Sequence, residues 1–242
     1  MTPREAFIPA PFARPVRGFC TTRTGGVSEP PFDSLNLGAA CGDSPIHVAE
    51  NRRLLRAGLP AEPAWLKQVH GNRVIHLDSW CRGITADAAW TDKPGQVAAV
   101  LTADCLPLLV ADRDGGCVAA IHAGWRGLGA GVIAECIGAL PVAPGNLIAW
   151  IGPRICREHY EVGEDVRNTF ADSPDAFISN RPGHWLADLA AIASRQLFDA
   201  DVFKVNDCQK CTAEGAQFFS HRRERRTGRM ASVIWLEVPS AS

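Results

Sequence analysis

The sequence lacks a dominant charge. Its 25 Lys and Arg nearly balance 26 Asp and Glu, giving a formal net charge of -1, so there is no global electrostatic case for nucleic acid or an anionic membrane. It lacks any apolar run long enough to span a bilayer. Met1 to Ala6 lacks the basic start and apolar stretch of a secretory leader. A cytoplasmic protein with neither membrane nor nucleic acid as partner is expected. Internal repeats and low-complexity linkers are missing. So are several catalytic signatures: HExxH, the Walker A loop, GxSxG, and the HxE and PCxxC pair of zinc deaminases. Gly127-Leu128-Gly129-Ala130-Gly131 follows an apolar run and opens a helical pattern. It lacks GxGxxG spacing and an acid about 20 residues on, which argues against a dinucleotide loop.

What the chain does have is enough length and apolar content for a sizeable core. It has 242 residues, 46% hydrophobic and 21% charged, the usual balance of a soluble globular protein. Nine cysteines, an odd number, read as free thiols or ligands in a reducing compartment. Cys208-Gln209-Lys210-Cys211 is a lone CxxC. His221 is the only later His to complete a zinc set, so the pair reads as free thiols. Arg222, Arg223, Arg225, Arg226 and Arg229 form the one strongly basic run. It reads as a solvated loop or, more sharply, as a phosphate-facing patch.

Periodicity and breakers predict a helix over 46–57, with Asp43 or Ser44 as N-cap and Gly58 as stop. Segments 64–70 and 73–78 read as a hairpin around Gly71-Asn72. Buried strands are expected at 97–101, 106–111, 117–122 and 147–151. Helices are expected at 127–140, 162–170 and 185–198, and late strands at 202–205 and 230–238. Strands and helices mix without regular βαβ alternation, which predicts an α+β fold with mixed sheets.

Three blocks carry the chemistry: Gln68-Val69-His70-Gly71, Thr102-Ala103-Asp104-Cys105 and Ile121-His122-Ala123-Gly124-Trp125-Arg126-Gly127. Taken singly, such a His is more often a structural residue, and a buried Cys a small inert hydrophobe. All three stand at the ends of apolar runs, where a sheet can aim them into one cleft. One Cys and two His form a ligand set that suits zinc and also copper, and three ligands leave one position open. Asp87 and Asp104 are positioned to orient the imidazoles. The competing reading is a nucleophilic Cys105 with His70 or His122 as base; the second His favours metal.

Together with Thr22-Arg23-Thr24-Gly25-Gly26, Leu35-Asn36-Leu37-Gly38, Ala86-Asp87-Ala88, Ile151-Gly152-Pro153, Tyr160-Glu161-Val162-Gly163 and Phe219-Ser220-His221-Arg222-Arg223, these blocks resemble the YfiH family. It is also known as the laccase-domain or polyphenol oxidase family and includes peptidoglycan editing factors. The resemblance covers nearly the whole chain, departing mildly at His221 and at the loop from Cys156 to His159. It implies one domain over 1–242, an α+β layered sandwich with mixed sheets and a cysteine-hydrolase-like fold. It implies metal ligands at His70, Cys105 and His122.

The activity it implies is that of a zinc-dependent purine nucleoside phosphorylase acting on adenosine, inosine and methylthioadenosine, with adenosine deaminase activity. The partners are then a purine nucleoside and phosphate, and a monomer is expected. Alternatives are a copper-dependent polyphenol oxidase and a cysteine hydrolase acting on peptidoglycan precursors. In the phosphorylase reading, Arg23 and Arg126 are expected at the phosphate, because guanidinium forks match its oxygens. Asn36 is a further expected substrate contact. Asp87 or Glu161 is expected to protonate the leaving base, and Cys105 completes the catalytic set.

Overall fold

The computed structural model describes residues 7–239; Met1 to Ala6, read above for a leader, lies outside the described residues. The chain opens with β1 (Phe7–Pro9) and β2 (Val16–Thr21), then a long loop to α1 (Pro45–Arg56). β3 (Val74–His76), β4 (Ala88–Thr91), β5 (Val97–Thr102), β6 (Leu106–Asp112) and β7 (Val118–Ala123) follow. The short helices α2 (Trp125–Gly129) and α3 (Val132–Ala139) lead to β8 (Leu147–Ile151) and β9 (Glu161–Val162). Next come α4 (Glu164–Thr169), β10 (Phe177–Arg181), β11 (His184–Ala187) and α5 (Leu189–Asp199). β12 (Lys204–Asp207), α6 (His221–Glu224) and β13 (Met230–Leu236) complete the described fold.

Two sheets stack through their alternating side chains. One is antiparallel, in the order β1-β2-β13-β5; the other is mixed, in the order β12-β8-β6-β7-β4-β3, with parallel pairs at both edges. Leu109 and Ala111 of β6, Val118 and Ala120 of β7, Ala98 and Val100 of β5, and Ile234 of β13 meet between them. The opposite face of the mixed sheet, with Leu106, Leu108, Val110 and Ile121, packs on Ile133 and Ile137 of α3 and Ile192 of α5. The outer face of the antiparallel sheet, with Val97, Ala99 and Val233, is covered by Leu35, Leu37 and Leu55. The α+β class and mixed sheets expected from the sequence are therefore present. A small antiparallel sheet, β10-β11-β9, stands apart from the two large ones. No helix among the described residues is long and apolar enough to cross a membrane.

Several expected elements differ. The hairpin over 64–78 does not form. Only Val74–His76 is a strand, and it pairs in parallel with β4. Ala64 and Lys67 make isolated bridges to Ala98 and Thr85, and Gln68 uses its side-chain amide, not its backbone, to bond both the N–H and the C=O of Leu101. The helix expected over 127–140 is broken into α2 and α3, because Gly131 adopts φ 79° and starts a new helix. The apolar segment from 185 opens as strand β11. Its helix begins only after Asp188, whose carboxylate accepts the N–H bonds of Ala190 and Ala191. Three arginines of the basic run are tied to backbone carbonyls. Arg223 donates to the carbonyls of Thr212, Gly215 and Phe218, Arg226 to Gly42, and Arg229 to Thr227 and Gly228.

Candidate active site

His70, Cys105 and His122 reach one another from three different segments. His70 sits on the turn after the Gln68 anchor with φ 62°, a left-handed conformation uncommon outside glycine. The turn is held by one carboxylate. Asp87 accepts the backbone N–H groups of Val69, His70 and Gly71 at 3.2, 2.9 and 2.8 Å. Cys105 follows Asp104, whose φ of 91° is equally unusual. Asp104 is fixed on three sides: Thr212 Oγ1 and the N–H of Arg222 donate to its carboxylate, each at 2.6 Å, and Ile155 N–H donates to its carbonyl at 3.0 Å. Two strained turns beside reactive side chains, each held by several bonds, are typical of functional sites. His122 lies within β7, is buried, and has its Nδ1 2.8 Å from Asp87 Oδ1.

The Cys105 sulfur lies 3.8 Å from His70 Nε2, and the two imidazole rings meet edge-on with centroids 4.8 Å apart. One ligand atom from each of the three residues falls within 4.8 Å of the others. Gly124 makes this approach possible. A Cβ there would stand 2.9 Å from the Cys105 sulfur and 3.2 Å from the His70 ring. His70 is exposed, Cys105 half-buried and His122 buried, so the group opens to solvent on one side.

Electrostatics separate the three. Burial raises the Cys105 thiol, but hydrogen bonding to His122 and the charges of His122 and His70 outweigh it and bring it down to about 6. Burial lowers His122, while its bonds to Asp87 and Cys105 bring it up to about 9. Asp87 is raised by burial, yet the bond from His122 and those from the turn amides hold it below its ordinary value. Without metal the contact thus favours the thiolate of Cys105 and the protonated form of His122. A metal fits the same donors. Asp87 occupies His122 Nδ1 and leaves Nε2 to face the sulfur, the carboxylate–histidine arrangement that backs metal-bound imidazoles.

The other expected site residues lie elsewhere or are otherwise engaged. Arg23 pairs with Asp33 and Glu224 and lies over the Phe219 ring. Asn36 is fully buried, bonding Gly38, Asp43 and the N–H of Arg229. The Glu161 carboxylate is taken by Arg181 and Asn180 and is held down to about 2, chiefly by Arg181. Arg126 is exposed, stacks on the neighbouring Trp125 ring at 4.4 Å, and makes no ion pair among the described residues. Asp104 binds loops rather than an imidazole. The sequence reading missed Thr212 and Arg222 as supports of Asp104. It also gave no role to Tyr160, the chain's one tyrosine, whose ring lies under Arg222 and whose phenol is raised by burial and then by the Cys105 charge.

Residues 17–237 match the family described as multi-copper polyphenol oxidoreductase laccase. The chain belongs to this laccase-domain, or YfiH, family. A purine nucleoside phosphorylase YfiH of Escherichia coli is 48% identical over 93% of this chain and 96% of its own. A purine nucleoside phosphorylase of Pseudomonas aeruginosa is 47% identical over 95% and 96%. Among solved structures, the Neisseria meningitidis protein NMB0706 superposes with a TM-score of 0.92 at 42% identity, covering 96% of this chain and all of that one. YlmD from Geobacillus stearothermophilus follows the same fold, with a TM-score of 0.88 at 30% identity over 95% and 94%. The YfiH-family fold expected from the sequence blocks is therefore the fold of this chain.

Proposed function

We propose that the chain is a zinc-dependent purine nucleoside phosphorylase acting on adenosine, inosine and methylthioadenosine, with adenosine deamination as a second activity. The observation that carries this reading is the Cys–His–His group backed by Asp87 and open on one side. The names of relatives with nearly half the residues in common support the substrate class. His70, Cys105 and His122 would hold the metal, which when bound supplies a Lewis acid with an open position for an oxygen ligand.

The chain's own residues divide the remaining work. Asp87 is a positioning residue. Its oxygens are committed to His122 and to three amides, so it holds the ligand turn and the imidazole together and does not donate a proton to the base. Glu161, ionised down to about pH 2 by its Arg181 partner, cannot carry that proton at neutral pH either. In phosphorolysis a phosphate oxygen replaces the purine nitrogen on the ribosyl carbon, so an anion must be held beside the sugar. Arg126 is suited to this, being exposed and free of carboxylates, whereas Arg23 is already neutralised by two. Asn36 shapes the loop around Gly38.

The test supplies zinc-loaded protein with adenosine and phosphate and follows adenine, inosine and ribose 1-phosphate by chromatography. Phosphate-dependent adenine release, lost in Cys105→Ala, supports the proposal; adenosine and inosine left untouched overturn it. A second reading, a cysteine hydrolase, is favoured by one observation, the Cys105 sulfur set 3.8 Å from His70 Nε2 and close to the buried imidazole of His122. It requires turnover that survives complete metal removal.

A further inference from the structure

We propose a second metal site, structural and zinc-binding, formed by Cys156, His159, Cys211 and Glu214. It arises where two loops leave the same end of the mixed sheet. β8 and β12 run in parallel, with Ile151 opposite Asp207. The loops that follow stay together: Arg154 N–H bonds Lys210 C=O at 3.1 Å, Thr212 N–H bonds Arg154 C=O at 2.9 Å, and the Arg154 guanidinium grips Asp207 with two 2.7 Å bonds. Each loop then presents two ligands separated by two residues, Cys156 and His159 from one, Cys211 and Glu214 from the other. Paired chelates of this spacing are how structural zinc sites are built.

Three of four ligand-atom distances fit one ion, and the Cys156–His159 contact is shorter. A tetrahedral zinc with Zn–S near 2.3 Å and Zn–N or Zn–O near 2.0–2.1 Å sets neighbouring ligand atoms roughly 3.4–3.8 Å apart. Here Cys156 Sγ is 3.1 Å from His159 Nδ1 and 3.7 Å from Glu214 Oε1. His159 Nδ1 is 3.7 Å from Cys211 Sγ and 3.8 Å from Glu214 Oε1. All four ligand atoms lie within 4.8 Å of one another. The N–H of Cys156 points at Cys211 Sγ from 3.2 Å, a contact that favours a thiolate there. A cavity of about 220 Å³ opens beside both sulfurs and gives the ion a way in.

The chemistry separates this site from the first. Four protein ligands fill the tetrahedron, so no position is left for substrate, and the role is to clamp. Binding releases one proton from each thiol; two thiolates, one carboxylate and a neutral imidazole then surround a divalent ion. The clamp would act on the first site through the chain. Tyr160 follows His159, and Thr212, which bonds Asp104 beside Cys105, follows Cys211. The CxxC spacing pairs the wrong partners. Cys208 instead packs against the core between the two large sheets.

The experiment titrates chelator-stripped full-length protein with zinc and counts bound metal by native mass spectrometry, with cobalt(II) as a spectroscopic substitute. Two zinc ions per chain are expected in the wild type and in Cys208→Ala, and one in Cys105→Ala and in Cys211→Ala. The cobalt form of Cys105→Ala should retain a thiolate-to-cobalt charge-transfer band and tetrahedral visible bands, and lose both when Cys156→Ser is added. Cys105→Ala leaves the second cluster intact, so its result stands even if a Cys211 variant misfolds. A Cys105→Ala protein that binds no zinc, or whose cobalt spectrum lacks the thiolate band, overturns the proposal. So does a second zinc lost with Cys208 rather than with Cys211.

Discussion

Asp87 joins two of the three clustered residues through one carboxylate: it fixes the turn that carries His70 and orients the ring of His122. Asp87→Asn keeps the shape but replaces one acceptor oxygen by a donor. It is expected to weaken metal binding by about 10–100-fold, the range for such outer partners, read by chelator competition. Gly124→Ala should weaken the same site, because its Cβ meets both Cys105 and His70, while circular dichroism stays native. In metal-free protein, Cys105 is ionised above about pH 6 and protonated below it. Its alkylation rate, followed by peptide mapping, should therefore rise through pH 6 and level off well below the range of an ordinary thiol; added zinc should suppress it. The convergence of His70, Cys105 and His122 was legible because each borders an apolar run. Their supports were not, since Thr212 and Arg222 reach Asp104 from more than a hundred residues away. The side-chain partners of Arg23, Asn36 and Glu161 were not legible either, because a charged or polar residue in a loop looks alike in sequence whether its partner is a substrate or another side chain.

At the scale of elements, the ends matter more than the middles. The strands from Val97 to Ala123 and from Leu147 to Ile151 were legible as apolar runs bounded by turns. The hairpin over 64–78 was misread because a side chain, Gln68, replaces the backbone ladder and a distant carboxylate holds the turn. Local pattern carries no sign of either. The break between α2 and α3 lay in Gly131, one glycine among several in the run that follows His122. Its φ of 79° gives a direct test. Gly131→Ala should destabilise the fold by about 1 kcal/mol or more in urea unfolding, since a β-carbon is strained in that conformation. Had the helix run through unbroken, the substitution would stabilise instead.

Across the whole molecule, the large sheets share one apolar layer and each backs onto a second. This places the reactive group at strand ends, where loops from remote parts of the chain converge. Leu109 is fully buried in the layer between the sheets. Leu109→Ala is expected to cost about 2–5 kcal/mol of stability, while zinc stoichiometry per folded chain is unchanged. The central claim is that His70, Cys105 and His122 form a metal site on which nucleoside turnover depends. The most direct measurement follows phosphate-dependent adenine release from adenosine as zinc is returned to chelator-stripped protein. The account predicts negligible release from the stripped protein, recovery in step with zinc occupancy, and none in Cys105→Ala at any zinc concentration. Full release from stripped protein, or recovery in Cys105→Ala, would contradict it.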